Sequence, residues 1–177
     1  DRTAEPVGEI AWAPVRPPAA TAAPPGLAFI DGVSRVDARV FADTATQPGL
    51  CGSVGVGAML ANGSARFGPC DVHRAAVFEP GRQVRFPPVS DRLSYPERPA
   101  RGDRPEDIRG ELEHLREEKE AALAARLAGE GWVVTADGRL RWLEPMSIVG
   151  YIKSHHRHYL SEELEKIVPQ LAAGELT

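Results

Sequence analysis

The chain has 177 residues, a net charge of −4 and 42% hydrophobic residues. That length suits one compact domain with a real core, and no stretch approaches the ~18 apolar residues of a membrane-spanning helix. No basic-then-apolar leader opens it, so a cytoplasmic setting is expected. Two cysteines, Cys51 and Cys70, are too few for a disulfide scaffold. With His73 they would make only three metal ligands and no CxxC pair, so plain thiols are expected.

The acidic balance argues against a simple basic nucleic-acid binder, but the charge is unevenly spread. Glutamates crowd 106–120, whereas Arg139, Arg141, Lys153 and Arg157 cluster downstream beside His155, His156 and His158. A metal-dependent nuclease needs both patches: carboxylates for the ion and cations for phosphates.

Residues 1–26 read as a lead-in, rich in Pro and Ala over 13–26. A domain is expected over 27–177. LAFID, 27–31, reads as a buried strand that turns at Gly32. Val36, Ala38 and Val40 alternate with charged residues, as in a half-exposed strand. VGVGAML, 54–60, is a third strand candidate, and Asn62-Gly63 signals a hairpin. A further strand is expected at 75–79 and a long loop over 80–105.

Asp103, with Glu106 three residues on and Pro105 between, predicts a capping box and a helix to about Ala128. Strands follow at 132–136 and 146–153, then a last helix from Ser161, kinked at Pro169. Three antiparallel strands, a helix and a strand returning beside the first make an RNase H-like α/β mixed sheet, with flanking helices. A ferredoxin-like sandwich is the other topology this order allows.

Asp31 and Asp137 sit alike, each after an apolar run and before a glycine, in FIDG and TADG. On neighbouring parallel strands both carboxylates emerge at one sheet end, where open sheets carry their sites. Mg²⁺ or Mn²⁺ takes such hard oxygen donors. The other reading of each DG is a plain turn. The helix has an apolar stripe of Ile108, Leu112, Leu115, Leu123 and Leu127, and Glu120 lies at its edge, about 80° from Leu112. Glu120 is therefore the expected third acid, ahead of Glu117 and Glu118, with Glu113 also near the border. The bland alternative is a solvated glutamate face.

Lys153 ends a strand and opens KSHHRHYL, where a lysine suits a phosphate and the histidines suit phosphate, water or metal. Arg35, Arg139, Lys153, His155, His156 and Arg157 are the residues expected to meet DNA. A polar strand-to-helix loop is the alternative for the histidines.

FIDGVSRVDARV, VVTADGRL and IVGYIKSHHRHYL, in that order, resemble motifs of the NurA family, over about residues 27–160. The resemblance implies an RNase H-like, Mn²⁺-dependent nuclease acting on DNA ends and single strands, as a homodimer with a HerA-type hexameric ATPase. It implies that Asp31, Glu120 and Asp137 hold metal, and that these three and Lys153 are catalytic. Family members continue past the point matching Thr177, so the domain is expected to lack its late site residues. A non-catalytic DNA-binding adaptor for such an ATPase is the competing reading.

Overall fold

The computed structural model describes residues 13–14, 16, 26–41, 49–81, 87–137, 147–151, 162–173 and 175. By its internal packing the chain falls into two units, Pro24–Tyr151 and a second made of Asp1–Ala23 with Ile152–Thr177. The larger unit holds one six-stranded sheet. Its strands are β1 (Leu27–Val40), β2 (Gly49–Asn62), β3 (Ser64–Phe78), β4 (Glu97–Pro99), β5 (Val133–Asp137) and β6 (Ile148–Tyr151). A 25-residue helix, α1 (Pro105–Gly129), lies between β4 and β5 in sequence.

The spatial order is β4-β3-β2-β1-β5-β6. β1, β2 and β3 are mutually antiparallel, β5 runs parallel to β1, and β6 parallel to β5. The fold is thus a mixed α/β sheet with an antiparallel front, in the order expected of an RNase H-like domain. β4 adds a short strand parallel to β3 at the far edge.

Several boundaries differ from the sequence reading. Gly32 does not end a strand: it pairs with Val56, and β1 runs unbroken through the two segments read separately. Cross-strand pairing over the whole of β2 overrides the local turn signal of Asp-Gly. The long loop of 80–105 contains β4. Asn62-Gly63 does close a tight hairpin, with Gly63 at φ 71°. The helix cap is Arg104 rather than Asp103, because Asp107 accepts from the Arg104 backbone N–H at 3.3 Å and from its guanidinium at 2.9 Å.

One face of the sheet carries the main core. Ala28 and Ile30 of β1, Val54, Val56, Ala58 and Leu60 of β2, and Val134 of β5 pack with Ile108, Leu112, Leu115, Leu123, Ala124 and Leu127 of α1. These helix positions recur at spacings of three and four, so one stripe of α1 is buried. β4 is held to that helix by charge. Arg98 donates to Glu111 at 2.7 Å and to Glu118 at 3.1 Å, which compensates the burial of Glu111. Cys51 is buried in β2 and Cys70 exposed in β3, opposite Ala76 and Gly57 respectively, so the two thiols are dispersed.

The opposite face has a smaller cluster of Cys51, Ala76, Phe78 and Tyr95. Asp37 reaches it from a bulge in β1, where the register slips between Val36 and Ala38. Burial pushes the Asp37 carboxyl up, but hydrogen bonds from Ser53, Arg35 and Tyr95 outweigh it and hold the group below its ordinary value.

The smaller unit contains α2 (Glu162–Glu165) and a 3₁₀ turn, Val168–Gln170, around Pro169. Within it Arg16 pairs with Glu175 at 3.1 Å. Among the described residues, no helix is long and apolar enough to cross a membrane.

Leu112 is 2% exposed and fills the space above Gly52. Leu112→Ala should lower stability by about 2–5 kcal/mol in a denaturant titration, the range for an aliphatic core truncation. Tyr95→Phe removes one hydrogen bond that depresses Asp37, and should cost about 1 kcal/mol at neutral pH. A depressed carboxyl stabilises the fold above its unfolded value, about 3.9, and loses that contribution as pH falls through the folded value. The stability gap between wild type and Tyr95→Phe should therefore narrow in acid, as followed by melting temperature from pH 7 downward.

Candidate functional site

β1 and β5 run parallel in constant register: Leu27 with Val133, Ala28 with Val134, Phe29 with Thr135 and Ile30 with Ala136. Asp31 and Asp137 are the next residue on each strand. Neighbouring strands lie about 4.8 Å apart, so the two acids stand side by side at one end of the pair. Ala28, Ile30 and Val134 are buried beneath α1. Alternation therefore turns Asp31 and Asp137 together to the other face, where both are exposed. Asp31 also accepts a hydrogen bond from the Gly32 N–H at 2.9 Å.

Glu120 approaches from the α1 side, directly over Gly32. A Cβ on Gly32 would lie 3.1 Å from the Glu120 Cδ and closer still to its Oε1, so a side chain there and the carboxylate exclude each other. The glycine of the FIDG segment serves this close approach and not a turn. Burial pushes the Glu120 carboxyl up, and the charges of Asp31 and Glu117 push it further, against the pull of Arg116. Glu118 turns away to Arg98 and Lys119, and Glu117 lies 3.8 Å from His114.

Three further residues belong to this neighbourhood. Arg116 donates from Nη1 to Glu120 Oε1 at 2.5 Å and from Nε to Glu113 Oε2 at 3.1 Å. Glu113 in turn accepts from the Ser34 hydroxyl of β1. The Ser34 bond, with Arg116 helping, holds the Glu113 carboxyl below its ordinary range against its partial burial. Burial lowers the Arg116 value, but its two glutamates outweigh that and raise it. Sequence reasoning passed over Ser34 and Arg116. The available signal was the 113, 116, 120 spacing, which places all three on one side of a helix.

Arg35 has an exposed guanidinium paired with Asp37 at 2.7 Å. Arg139, Lys153, His155, His156 and Arg157 lie outside the described residues. Among the described residues, no three His, Cys, Asp or Glu side chains form a preassembled metal cluster. What the sheet defines is a side-by-side aspartate pair where the pairing of β1 with β5 ends, with a helix glutamate reaching β1 from the other face.

No family model matches the chain, and no curated protein matches it. Among solved structures it is similar to the NurA nuclease from Sulfolobus solfataricus, at 19% identity and a TM-score of 0.39. That match covers 65% of this chain and 26% of the other, so this chain spans well under half of that protein's length.

Gly32→Ala should displace the Glu120 carboxylate, a movable side-chain end, rather than disrupt the backbone. Stability should change by less than about 1 kcal/mol, since alanine also lowers the strand's conformational entropy cost. The NMR chemical shift of the Glu120 carboxyl carbon should move clearly. An unmoved shift would show that Glu120 does not rest over Gly32.

Proposed function

We propose that this chain carries the core of a metal-dependent DNA nuclease of the NurA kind, hydrolysing phosphodiesters at DNA ends and in single strands. The observation that carries the reading is the register that sets Asp31 beside Asp137. The motif resemblance supports it. The donors suit Mn²⁺ or Mg²⁺ in kind: all are hard carboxylate oxygens, and two stand on adjacent strands.

In this reading Asp31 and Asp137 hold the ion, and Glu120, the third carboxylate that the resemblance implies, lies on the α1 face of β1 with Arg116. A bound divalent cation supplies Lewis acidity and an activated water at neutral pH. Lys153 neutralises charge on the scissile phosphate, and Arg35, Arg139, His155, His156 and Arg157 hold the flanking phosphates. Homodimerisation and a HerA-type ATPase partner follow from the resemblance alone.

A second reading, a non-catalytic DNA-binding adaptor of such an ATPase, draws on one observation. Glu120 is engaged by Arg116, and the acids form no ready-made cluster among the described residues. One experiment separates the two: digestion of labelled single- and double-stranded DNA with Mn²⁺, using the full-length protein. Asp31→Asn should lose cleavage by at least about a hundredfold while keeping DNA affinity within about twofold, because affinity comes from cations on phosphates. Normal cleavage by Asp31→Asn contradicts the proposed site, and no cleavage by the wild type favours the adaptor.

A further inference from the structure

Two rows of side chains cross the sheet on the face away from α1. In the first, Phe67 of β3, Met59 of β2, Phe29 of β1 and Thr135 of β5 stand side by side. In the second, one pleat further along, Asp31 and Asp137 are followed on β6 by Tyr151, the register partner of Asp137. Paired residues share a face, and the alternate residues Ala28, Ile30, Leu60 and Val134 are the ones buried under α1. The rings are therefore turned outward: Phe29 is 45%, Tyr151 57% and Phe67 88% exposed. They stand outside both buried clusters, so core packing does not account for them. Exposed apolar groups gathered on one face, rimmed by charge, mark a surface that something else covers. Cations share the face at its other end, where Arg35 and Arg74 each pair with Ser53.

We infer that this face is a stacking platform for the bases of single-stranded DNA, with Phe29 and Tyr151 as its main rings. The inference rests on the proposed DNA-binding reading, which the nuclease and the adaptor share, and it requires no bound metal. Every base has an apolar π-face, and an exposed phenyl or phenol ring is a partner for it whatever the sequence. Duplex bases are already stacked on each other and closed to such rings, so the platform selects unpaired strands. Phe29 precedes Asp31 by one pleat on β1, and Tyr151 adjoins Asp137 on β6. A strand with bases on both rings crosses β5 between Thr135 and Asp137, which carries its backbone past the two acids. Those acids repel phosphate, so stacking and not charge holds the strand at this end. Arg35 lies six residues beyond Phe29, about 20 Å along β1, and with Arg74 suits the phosphates that follow.

The test is fluorescence-anisotropy titration of the full-length protein in EDTA, with a labelled oligothymidylate and with a blunt duplex of equal length. Phe29→Leu and Tyr151→Leu keep apolar bulk and remove the ring. Each should weaken single-strand binding about five- to a hundredfold, the scale of one lost base stack. Each should leave duplex affinity within about twofold, because the phosphate contacts remain. Tyr151→Phe keeps the ring and should match the wild type. Unchanged single-strand affinity in both leucine variants overturns the platform and leaves the DNA-binding reading standing. An equal loss on both DNAs also overturns it. So does a changed oligomeric state by light scattering with DNA affinity unchanged, which assigns the face to a protein partner. A wild type that binds neither DNA ends the DNA-binding reading and the platform together. If the leucine variants melt below the assay temperature, photocross-linking of the wild type to an iodouracil-containing oligonucleotide decides. Adducts should map to Phe29 or Tyr151, and adducts confined to other residues overturn the platform.

Discussion

Four residues of β5 pair in parallel with four of β1, from Leu27 and Val133 to Ile30 and Ala136, and this register determines what stands at the strand ends. A slip of one residue would turn Asp137 to the opposite face from Asp31, since side chains alternate along a strand. The slip is resisted by burial. Ala28, Ile30 and Val134 have at most 4% exposure under α1, and moving β5 by one position would turn Val134 out of the core and put Val133 or Thr135 in its place. The hydrophobic contact that closes the core is therefore also what aligns the two aspartates.

The same helix that supplies the apolar cover carries Glu120. Leu123, Ala124 and Leu127 anchor the C-terminal half of α1, so the height of Glu120 above β1 follows from packing. Gly32 then decides how near it comes. Burial and the Asp31 charge both disfavour an ionised Glu120, and the Arg116 guanidinium opposes them. Arg116 needs its own support, which the Glu113–Ser34 contact provides. Core packing, backbone clearance and charge compensation thus meet along the same face of α1 and at Gly32 and Ser34 of β1.

Much of this was legible in the sequence, and the reasons differ by element. The apolar runs before Asp31 and Asp137 marked two strands, and the stripe from Ile108 to Leu127 marked the helix and the side on which Glu120 lies. The chain order of elements was enough to suggest the mixed sheet. What local pattern could not show was continuity. Asp31-Gly32 reads as a turn until β2 is present to pair with it, and β4 is three residues long and depends on Arg98 reaching Glu111. The bulge at Asp37 and its contacts with Ser53 and Tyr95 join residues far apart in sequence, as does the bond between Ser34 and Glu113. Such contacts leave no periodic trace. The predicted basic residues Arg139, Lys153, His155, His156 and Arg157 fall outside the described residues, so their place in the sequence reading is unchanged.

The paired aspartates are proposed to hold a divalent cation. The most direct measurement is anomalous diffraction at the manganese absorption edge, from crystals of the full-length protein grown with MnCl₂. An anomalous peak is expected within bonding distance of carboxylate oxygens from both Asp31 and Asp137. A manganese peak elsewhere in the molecule, with both aspartates free of it at saturating metal, would rule out the aspartate pair as the metal site.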